Sequence, residues 1–262
     1  MEHIVTEIRR DHIESLIKEG KRADGRSFDE YRPITVDTEI GPKANGSAIV
    51  KIGNTQIMAG IKLMLGEPFS DMPNSGVLTT NAELIPLASP TFEAGLPKQD
   101  TVELARVVDR GIRESGSIDV DKLCITEGEL VWIVFIDIHV LDYDGNLFDA
   151  SSLGAIAALL STRLPKVEDG KVIYEEKTNK KLPIIDKPIE TTFAKIGSGI
   201  ILDPALDEEG VMDARLTVAT DQKGNMCALQ KGGHGTFTPD EIFGMVERGA
   251  EKAKELRKYL ED

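Results

Sequence analysis

The feature that most restricts the fold is an order of elements, a tight hairpin followed by a helix, that occurs twice. In the first half, strand-like segments 47–52 and 56–61 flank Gly53-Asn54, a dipeptide typical of two-residue hairpin turns. In the second half, Lys223-Gly224-Asn225 separates two further strand-like segments in the same way. The pattern predicts an α+β fold with internally duplicated hairpin-plus-helix halves.

Helices are predicted around these hairpins from apolar spacing and from end signals. Residues 2–19 form an amphipathic pattern that ends at Gly20, and residues 100–114 form a second one. A helix rich in small residues is predicted over 150–162. The last helix begins at Thr238-Pro239-Asp240-Glu241, which is a capping box with proline at the first helical position.

The composition excludes several classes of protein. No stretch approaches the roughly 18 apolar residues that span a bilayer, and the charged N-terminus lacks the apolar run of a signal peptide. Cys124 and Cys227 form no CxxC pair, so we expect no disulfide framework, no zinc site and a cytoplasmic location. The net charge of −14 argues against a non-specific nucleic-acid binder but allows a local arginine cluster.

The helix predicted over 100–114 carries such a cluster. Arg106, Arg110 and Arg113 lie at i, i+4 and i+7, so they project from neighbouring positions on one face. Guanidinium groups can grip phosphate oxygens in a bidentate way, which suits an RNA backbone. The alternative is a solvated face on which these arginines pair with nearby carboxylates, and spacing alone favours that alternative.

Two other polar segments have ordinary structural interpretations. The carboxylates between Asp203 and Asp213 could bind Mg²⁺, but a solvated acidic turn is the interpretation we favour. The run Lys231-Gly232-Gly233-His234-Gly235 matches no phosphate-loop spacing and is interpreted as the exit of the second hairpin.

A buried strand is predicted over 132–141, followed by the turn Asp144-Gly145-Asn146 and the start of a helix. A helix N-terminus is a natural anion site. Asp149 stands at this one, where it can cap the free N–H groups and would repel a phosphate. We therefore predict that Asp149 caps the helix and that no anion binds there.

Taken in order, these segments resemble the ribonuclease PH family, and within it the non-catalytic branch of archaeal exosomes. The motifs that carry the resemblance cover nearly the whole chain: Arg22-Ala23-Asp24-Gly25-Arg26, Gly46 to Thr55, Glu103 to Arg110, Val140 to Asn146, Asp207 to Thr217, and Thr238 to Glu241. Each motif is weak alone, whereas their order over two hundred residues is specific.

The resemblance implies a six-membered ring in which this chain alternates with a catalytic ribonuclease PH-like partner. Such rings degrade single-stranded RNA from the 3′ end with inorganic phosphate, and proteins with S1 or KH domains cap one face. Arg106 and Arg110, with Arg113 on the same face, would contact RNA in the partner's site. The expected organisation is an N-terminal helix and loop (1–30), two ribonuclease PH-like halves (31–165 and 190–262) and a connecting segment (166–189).

Two departures from the family pattern separate this chain from catalytic members. Catalytic members carry an Arg-Arg pair where this chain has Gln99 and Asp100. They also carry a phosphate-binding Gly-Thr-Arg-Ser-like turn where this chain has Asn146-Leu147-Phe148-Asp149. Losing one donor that stabilises developing negative charge typically costs ~10²–10³ in rate. We therefore predict no catalytic residue, cofactor or metal in this subunit.

One feature keeps a catalytic alternative open. Asp207 and Asp213 retain the spacing of two aspartates that catalytic members carry, and we interpret them as an inherited remnant. The alternatives are an active phosphorolytic exoribonuclease, or a structural scaffold whose arginine face contacts protein and no RNA.

Overall fold

The computed structural model of the chain describes residues 2–168 and 171–260. Within these ranges the helices are α1 (Glu2–Lys18), α2 (Gln99–Glu114), α3 (Leu147–Ser161), the one-turn α4 (Leu206–Glu209) and α5 (Pro239–Arg257). The strands are β1 (Ile34–Thr38), β2 (Gly46–Ile52), β3 (Thr55–Gly66), β4 (Val77–Leu84), β5 (Cys124–Thr126), β6 (Leu130–Asp142), β7 (Arg163–Glu168), β8 (Lys171–Lys181), β9 (Ile189–Ile196), β10 (Gly199–Leu202), β11 (Ala214–Thr220) and β12 (Met226–Gly233). The predicted α+β class and the N-terminal helix are confirmed.

The first sheet is built around the predicted hairpin. Strands β2 and β3 pair antiparallel with Ile52 opposite Thr55, so Gly53 and Asn54 form the two-residue turn. Gly53 has φ +59°, a left-handed conformation that glycine adopts without steric cost. The sheet has the order β1-β2-β3-β6-β4, with β5 on β6, and all pairs are antiparallel except β4 with β6.

The second sheet repeats the plan in antiparallel form, with the order β10-β9-β11-β12. Its β11–β12 hairpin turns at residues 221–225, as predicted. The capping box of α5 is also confirmed. Thr238 Oγ1 accepts a hydrogen bond from the backbone N–H of Glu241 (3.2 Å), and the Glu241 carboxylate accepts one from the backbone N–H of Thr238 (2.7 Å).

Helix α3 lies between the two sheets and belongs to the cores of both halves. It packs on β2 and β3 on one side and on β9 on the other, and every residue from Phe148 to Leu159 is buried. Small residues make this possible: a Cβ on Gly154 would already lie 3.6 Å from Val50 and 3.7 Å from Ala59. A helix of bulkier residues would push the sheets apart.

The structure adds detail to the predicted strand over 132–141 and to the connecting segment. Strand β6 alternates between buried residues such as Val134 and half-buried ones such as Phe135, because helices cover only one face of its sheet. The connecting segment (166–189) includes the end of β7 and all of β8, which pair antiparallel with Arg163 opposite Lys181. The domain boundaries given above remain a prediction.

Candidate nucleic-acid interface

Helix α2, which carries the three predicted arginines, lies between β4 and β12. Arg106 is exposed, and its side chain forms no hydrogen bond or ion pair with any described residue. Arg110 is half-buried, and its Nη2 donates to the Gln230 side-chain oxygen (2.8 Å) and to the Leu229 carbonyl (3.3 Å). Both guanidinium groups therefore remain free of carboxylate partners in the described part of the chain.

Arg106 and Arg110 line one groove between α2 and β12. The groove encloses about 680 Å³, and Lys98 and Lys231 line it as well. Lys231 comes from the glycine-rich run that we interpreted as a simple hairpin exit, so sequence reasoning missed its place beside the arginines. Only the pairing of β12 in the sheet brings it there. The groove is a concentration of positive charge on an acidic protein.

Arg113 does not belong to this groove. Its guanidinium forms a two-bond ion pair with Asp109 (2.9 and 3.0 Å) and donates to the Leu78 carbonyl of β4 (3.1 Å). The bond to Asp109 raises the pKa of Arg113 above its usual value. The three arginines were predicted to share one face of α2. In the structure they separate, because Arg110 contacts β12 and Arg113 contacts β4.

A second site, at the N-terminus of α3, lies where the resemblance places a phosphate turn in catalytic members. Here the Glu209 carboxylate accepts hydrogen bonds from the Asn146 backbone N–H (2.8 Å) and from the Tyr143 hydroxyl (2.6 Å). Burial raises the pKa of Glu209, and these two bonds partly offset the shift. A protein carboxylate thus already occupies an N–H at the start of this helix.

The cavity beside this terminus has a volume of about 250 Å³ and aromatic and acidic walls. Its rings come from Phe92, Tyr143 and Phe148, and its carboxylates from Asp100, Glu103 and Glu209. Arg215 is the only cation among the described residues that line it. Its guanidinium stacks on Phe148, 4.0 Å from the ring centroid, and pairs with Glu103 (2.6 Å). Asp100 and Phe148, the two departures from the catalytic pattern, therefore share one cavity.

Asp149 does not cap α3, so that prediction was wrong. The N-cap residue is Asn146, without a side-chain cap. The buried Asp149 carboxylate instead accepts bonds from the Tyr31 hydroxyl (2.7 Å), the Asn146 side-chain amide (2.9 Å) and the Thr192 backbone N–H (3.0 Å). Burial raises the pKa of Asp149 to about 6, although these donors oppose the shift. The residue links α3 to β9 and to the segment before β1.

The acidic run 203–213 is only partly a solvated turn, which corrects our interpretation. Asp203 is buried and accepts bonds from Arg26 (2.8 Å), Arg32 (2.8 Å) and the Asn146 amide (2.7 Å). Burial alone would raise the pKa of Asp203, but Arg32 lowers it below the usual value. Glu208 is buried against Arg22. Among the described residues, no group of three or more His, Cys, Asp or Glu side chains could hold a metal ion.

Asp207 and Asp213, which keep the spacing of catalytic aspartates, bind the N-terminal helix instead of the cavity. Arg9 contacts Asp207 at 2.7 Å, and Arg10 contacts Asp213 at 2.5 Å. Neither aspartate is among the residues that line the cavity at α3. Their position supports a structural role.

The family models of the 3′ exoribonuclease family match this chain twice: domain 1 over residues 30–165 and domain 2 over residues 186–252. The chain belongs to the ribonuclease PH family. The membership accounts for the order of the motifs and for the two related sheets. No described helix is long and apolar enough to span a membrane.

Similar proteins extend over the full length of the chain. The exosome complex component Rrp42 of Methanocella arvoryzae is 55% identical over 260 residues, covering 99% of this chain and 98% of that protein. A chain in the structure of the Archaeoglobus fulgidus exosome with RNA bound to the active site superimposes with a TM-score of 0.92 at 45% identity, covering 97% of this chain and 98% of its own. A chain of an archaeal exosome core superimposes with a TM-score of 0.89 at 41% identity, covering 100% of this chain and 99% of that chain.

Proposed function

We propose that this chain is a non-catalytic subunit of a cytoplasmic archaeal exosome. It would alternate with a catalytic ribonuclease PH-like subunit in a heterohexameric ring, capped by S1- or KH-type RNA-binding proteins. The full-length similarity to exosome components supports the assignment to this complex. The geometry of the cavity at α3 supports the non-catalytic role.

The single observation that carries the non-catalytic role is the closed anion site. Phosphorolysis needs positive charge arranged around inorganic phosphate before the reaction begins. In this chain Phe148 stands where the phosphate-binding turn of catalytic members carries an arginine. The Glu209 carboxylate accepts the hydrogen bond of the Asn146 backbone N–H, and Arg215 stacks on Phe148 and forms an ion pair with Glu103. A phosphate ion entering the cavity would meet three carboxylates and one cation that is already paired.

The groove between α2 and β12 supports a role in holding RNA. Arg106 has no partner in the described chain, and Arg110 is bound only to neutral oxygens, so both can bind phosphate without first breaking an ion pair. In the ring, these side chains would contact single-stranded RNA that leads into the partner's active site. Arg113 would contribute less, because RNA would have to compete with Asp109 for it.

A phosphorolysis assay tests both parts of the proposal. The purified chain, the catalytic partner with this chain, and the same mixture with Arg106→Glu and Arg110→Glu would each receive RNA and inorganic phosphate. We expect nucleoside diphosphates from the mixture and none from the chain alone. The doubly substituted ring should assemble but degrade RNA more slowly. Its RNA affinity should depend less steeply on salt, by about 0.7 in logarithmic slope for each lost phosphate contact.

The matched control applies the same change of charge elsewhere, with Lys18→Glu and Lys21→Glu on the exposed end of α1 and the loop after it. This control should leave RNA degradation unchanged. Diphosphates released by the chain alone would identify it as an active ribonuclease. Failure of the Arg106→Glu, Arg110→Glu ring to assemble would identify the groove as a protein interface without RNA contact.

A further inference from the structure

Arg110 is held in the groove by a chain of hydrogen bonds that begins at the closed cavity. Arg215, stacked on Phe148, donates from Nη2 to Glu103 Oε1 at 2.6 Å. The same carboxylate oxygen accepts from Gln230 Nε2 at 2.9 Å. Gln230 Oε1 then accepts from Arg110 Nη2 at 2.8 Å.

This chain fixes the orientation of the Gln230 amide. Arginine can only donate, and an ionised carboxylate can only accept, so the amide oxygen must face Arg110 and the amide nitrogen must face Glu103. A flipped amide would set donor against donor on one side and acceptor against acceptor on the other. The amide therefore has one stable orientation, and in it a guanidinium nitrogen of Arg110 is held beside β12.

The packing around Arg215 leaves little freedom at the other end of the chain. A Cβ on Gly232 would lie 2.7 Å from Arg215 Nη2, so the strand closely approaches the guanidinium. Since Glu103 is paired with Arg215, which also stacks on Phe148, Gln230 has an acceptor that is itself held in place. Gly232, which we predicted to belong to a hairpin exit, lies directly beside the Arg215 guanidinium.

A buried carboxylate lies beneath the same arginines. Neither oxygen of Glu190 has a hydrogen-bond partner among the described residues, and the Nε atoms of Arg110 and Arg215 are also buried without one. A Cβ on Gly111 would lie 3.0 Å from Glu190 Oε1, which places this carboxylate against α2. Burial, and after it the charge of Asp149, raise the pKa of Glu190 well above its usual value, although Arg110 and Arg215 oppose the shift. Glu190 therefore lies close to the arginines at both ends of the hydrogen-bonded chain without forming a hydrogen bond to either.

We infer that Gln230 is a positioning residue, oriented by Glu103, that holds Arg110 ready for an RNA phosphate. The inference rests on the proposed RNA contact of Arg110 and adds how that contact is prepared. A free arginine must lose rotamer freedom when it binds, at a cost of about 0.5–1.5 kcal/mol for such a side chain. An arginine already held in place avoids part of that cost. Arg106, which lacks a partner in the described chain, has no such advantage and is the natural control.

The test is a double-mutant cycle on RNA binding by the ring assembled with its catalytic partner. Fluorescent oligoadenylate is titrated in buffer without phosphate, so that binding is measured without degradation. Gln230→Met keeps the length of the side chain and removes both hydrogen bonds. We expect it to weaken binding about 2- to 12-fold, the range that corresponds to the rotamer cost.

The decisive readout is whether this loss depends on Arg110. With Arg110→Ala already present, Gln230→Met should cause no further loss, whereas with Arg106→Ala it should cause its full loss. A purely structural role of Gln230 would reduce binding equally in both backgrounds. Equal losses, or no loss from Gln230→Met in the wild type, would overturn the inference. If Arg110→Ala alone left binding unchanged, the proposed RNA contact would fail and the positioning role with it.

A second variant keeps the test decisive if Gln230→Met prevents assembly. Glu103→Ala leaves β12 unaltered and frees the Gln230 amide to rotate, so it should show the same dependence on Arg110. Ring assembly of each variant is checked by size-exclusion chromatography before binding is measured. Losses from Glu103→Ala that are independent of Arg110 would reject the inference as well.

Discussion

Arg22 holds the N-terminal loop to the second half through an ion pair that has almost no contact with water. Its side chain is fully buried, and its guanidinium binds the Glu208 carboxylate with two bonds, at 2.9 and 2.6 Å. It also donates to the carbonyl oxygens of Leu202 (2.9 Å) and Asp203 (2.8 Å). Arg22→Met would keep the apolar part of the side chain and remove every one of these donors.

The expected loss follows from what would remain unpaired. Removing one partner of a buried ion pair typically costs about 3–5 kcal/mol, because the other charge stays buried without compensation. That is a large share of the roughly 5–15 kcal/mol by which most proteins are stable. For a chain of this size it corresponds to a fall in Tm of roughly 6–20 °C.

Urea and thermal unfolding followed by circular dichroism would measure the loss. Two controls separate burial from charge. Lys98→Met breaks the exposed Lys98–Glu93 pair and should leave the free energy of unfolding almost unchanged, because solvent screens an exposed ion pair. Arg22→Met combined with Glu208→Leu removes both charges and should recover much of the loss. A loss below about 1 kcal/mol for Arg22→Met, or no recovery in the double variant, would refute the reasoning.

Two further predictions concern α3 and α5. Because the pKa of Asp149 in the fold, about 6, lies above its ordinary value of 3.8, the stability this group contributes is present at low pH and is lost as pH rises through about 6. The free energy of unfolding of the wild type relative to Asp149→Asn should therefore fall by about 3 kcal/mol between about pH 3.5 and 7, and a difference that stays constant with pH would contradict this. Thr238→Ala removes the side-chain cap of α5 and should cost about 1 kcal/mol in urea unfolding, whereas Thr236→Ala in the preceding loop serves as its control. Equal stability of the Thr238 and Thr236 variants would argue against the capping role.

The parts of the fold that could be predicted depend on neighbours in the sequence. Gly53-Asn54 sets the β2–β3 turn by its own backbone preference, and Thr238 sets the start of α5 with a residue three positions away. The ion pair of Arg113 with Asp109 could also be foreseen, as the alternative to RNA contact, because the two residues are one helical turn apart. Local chemistry decides such features, so the sequence alone is informative.

The parts that could not be predicted depend on residues that meet only in the folded chain. Asp149 was expected to cap α3, but Tyr31 and Thr192, from two distant segments, supply its partners. The acidic run looked solvated because Arg22 is 186 residues away from Glu208 in the chain. Lys231 lines the groove between α2 and β12 only because β12 pairs with β11 in the second sheet. In each case the residue type was visible in the sequence and its partner was not.

The position of α3 makes the two halves inseparable although they follow a related plan. The helix follows the first hairpin in the chain, yet its Asp149 and Ser152 side chains accept hydrogen bonds from backbone N–H groups of β9. Cutting the chain between the halves would expose the apolar face of α3 on one fragment and the apolar face of the second sheet on the other. The two halves therefore form one unit, in which each half buries apolar residues of the other.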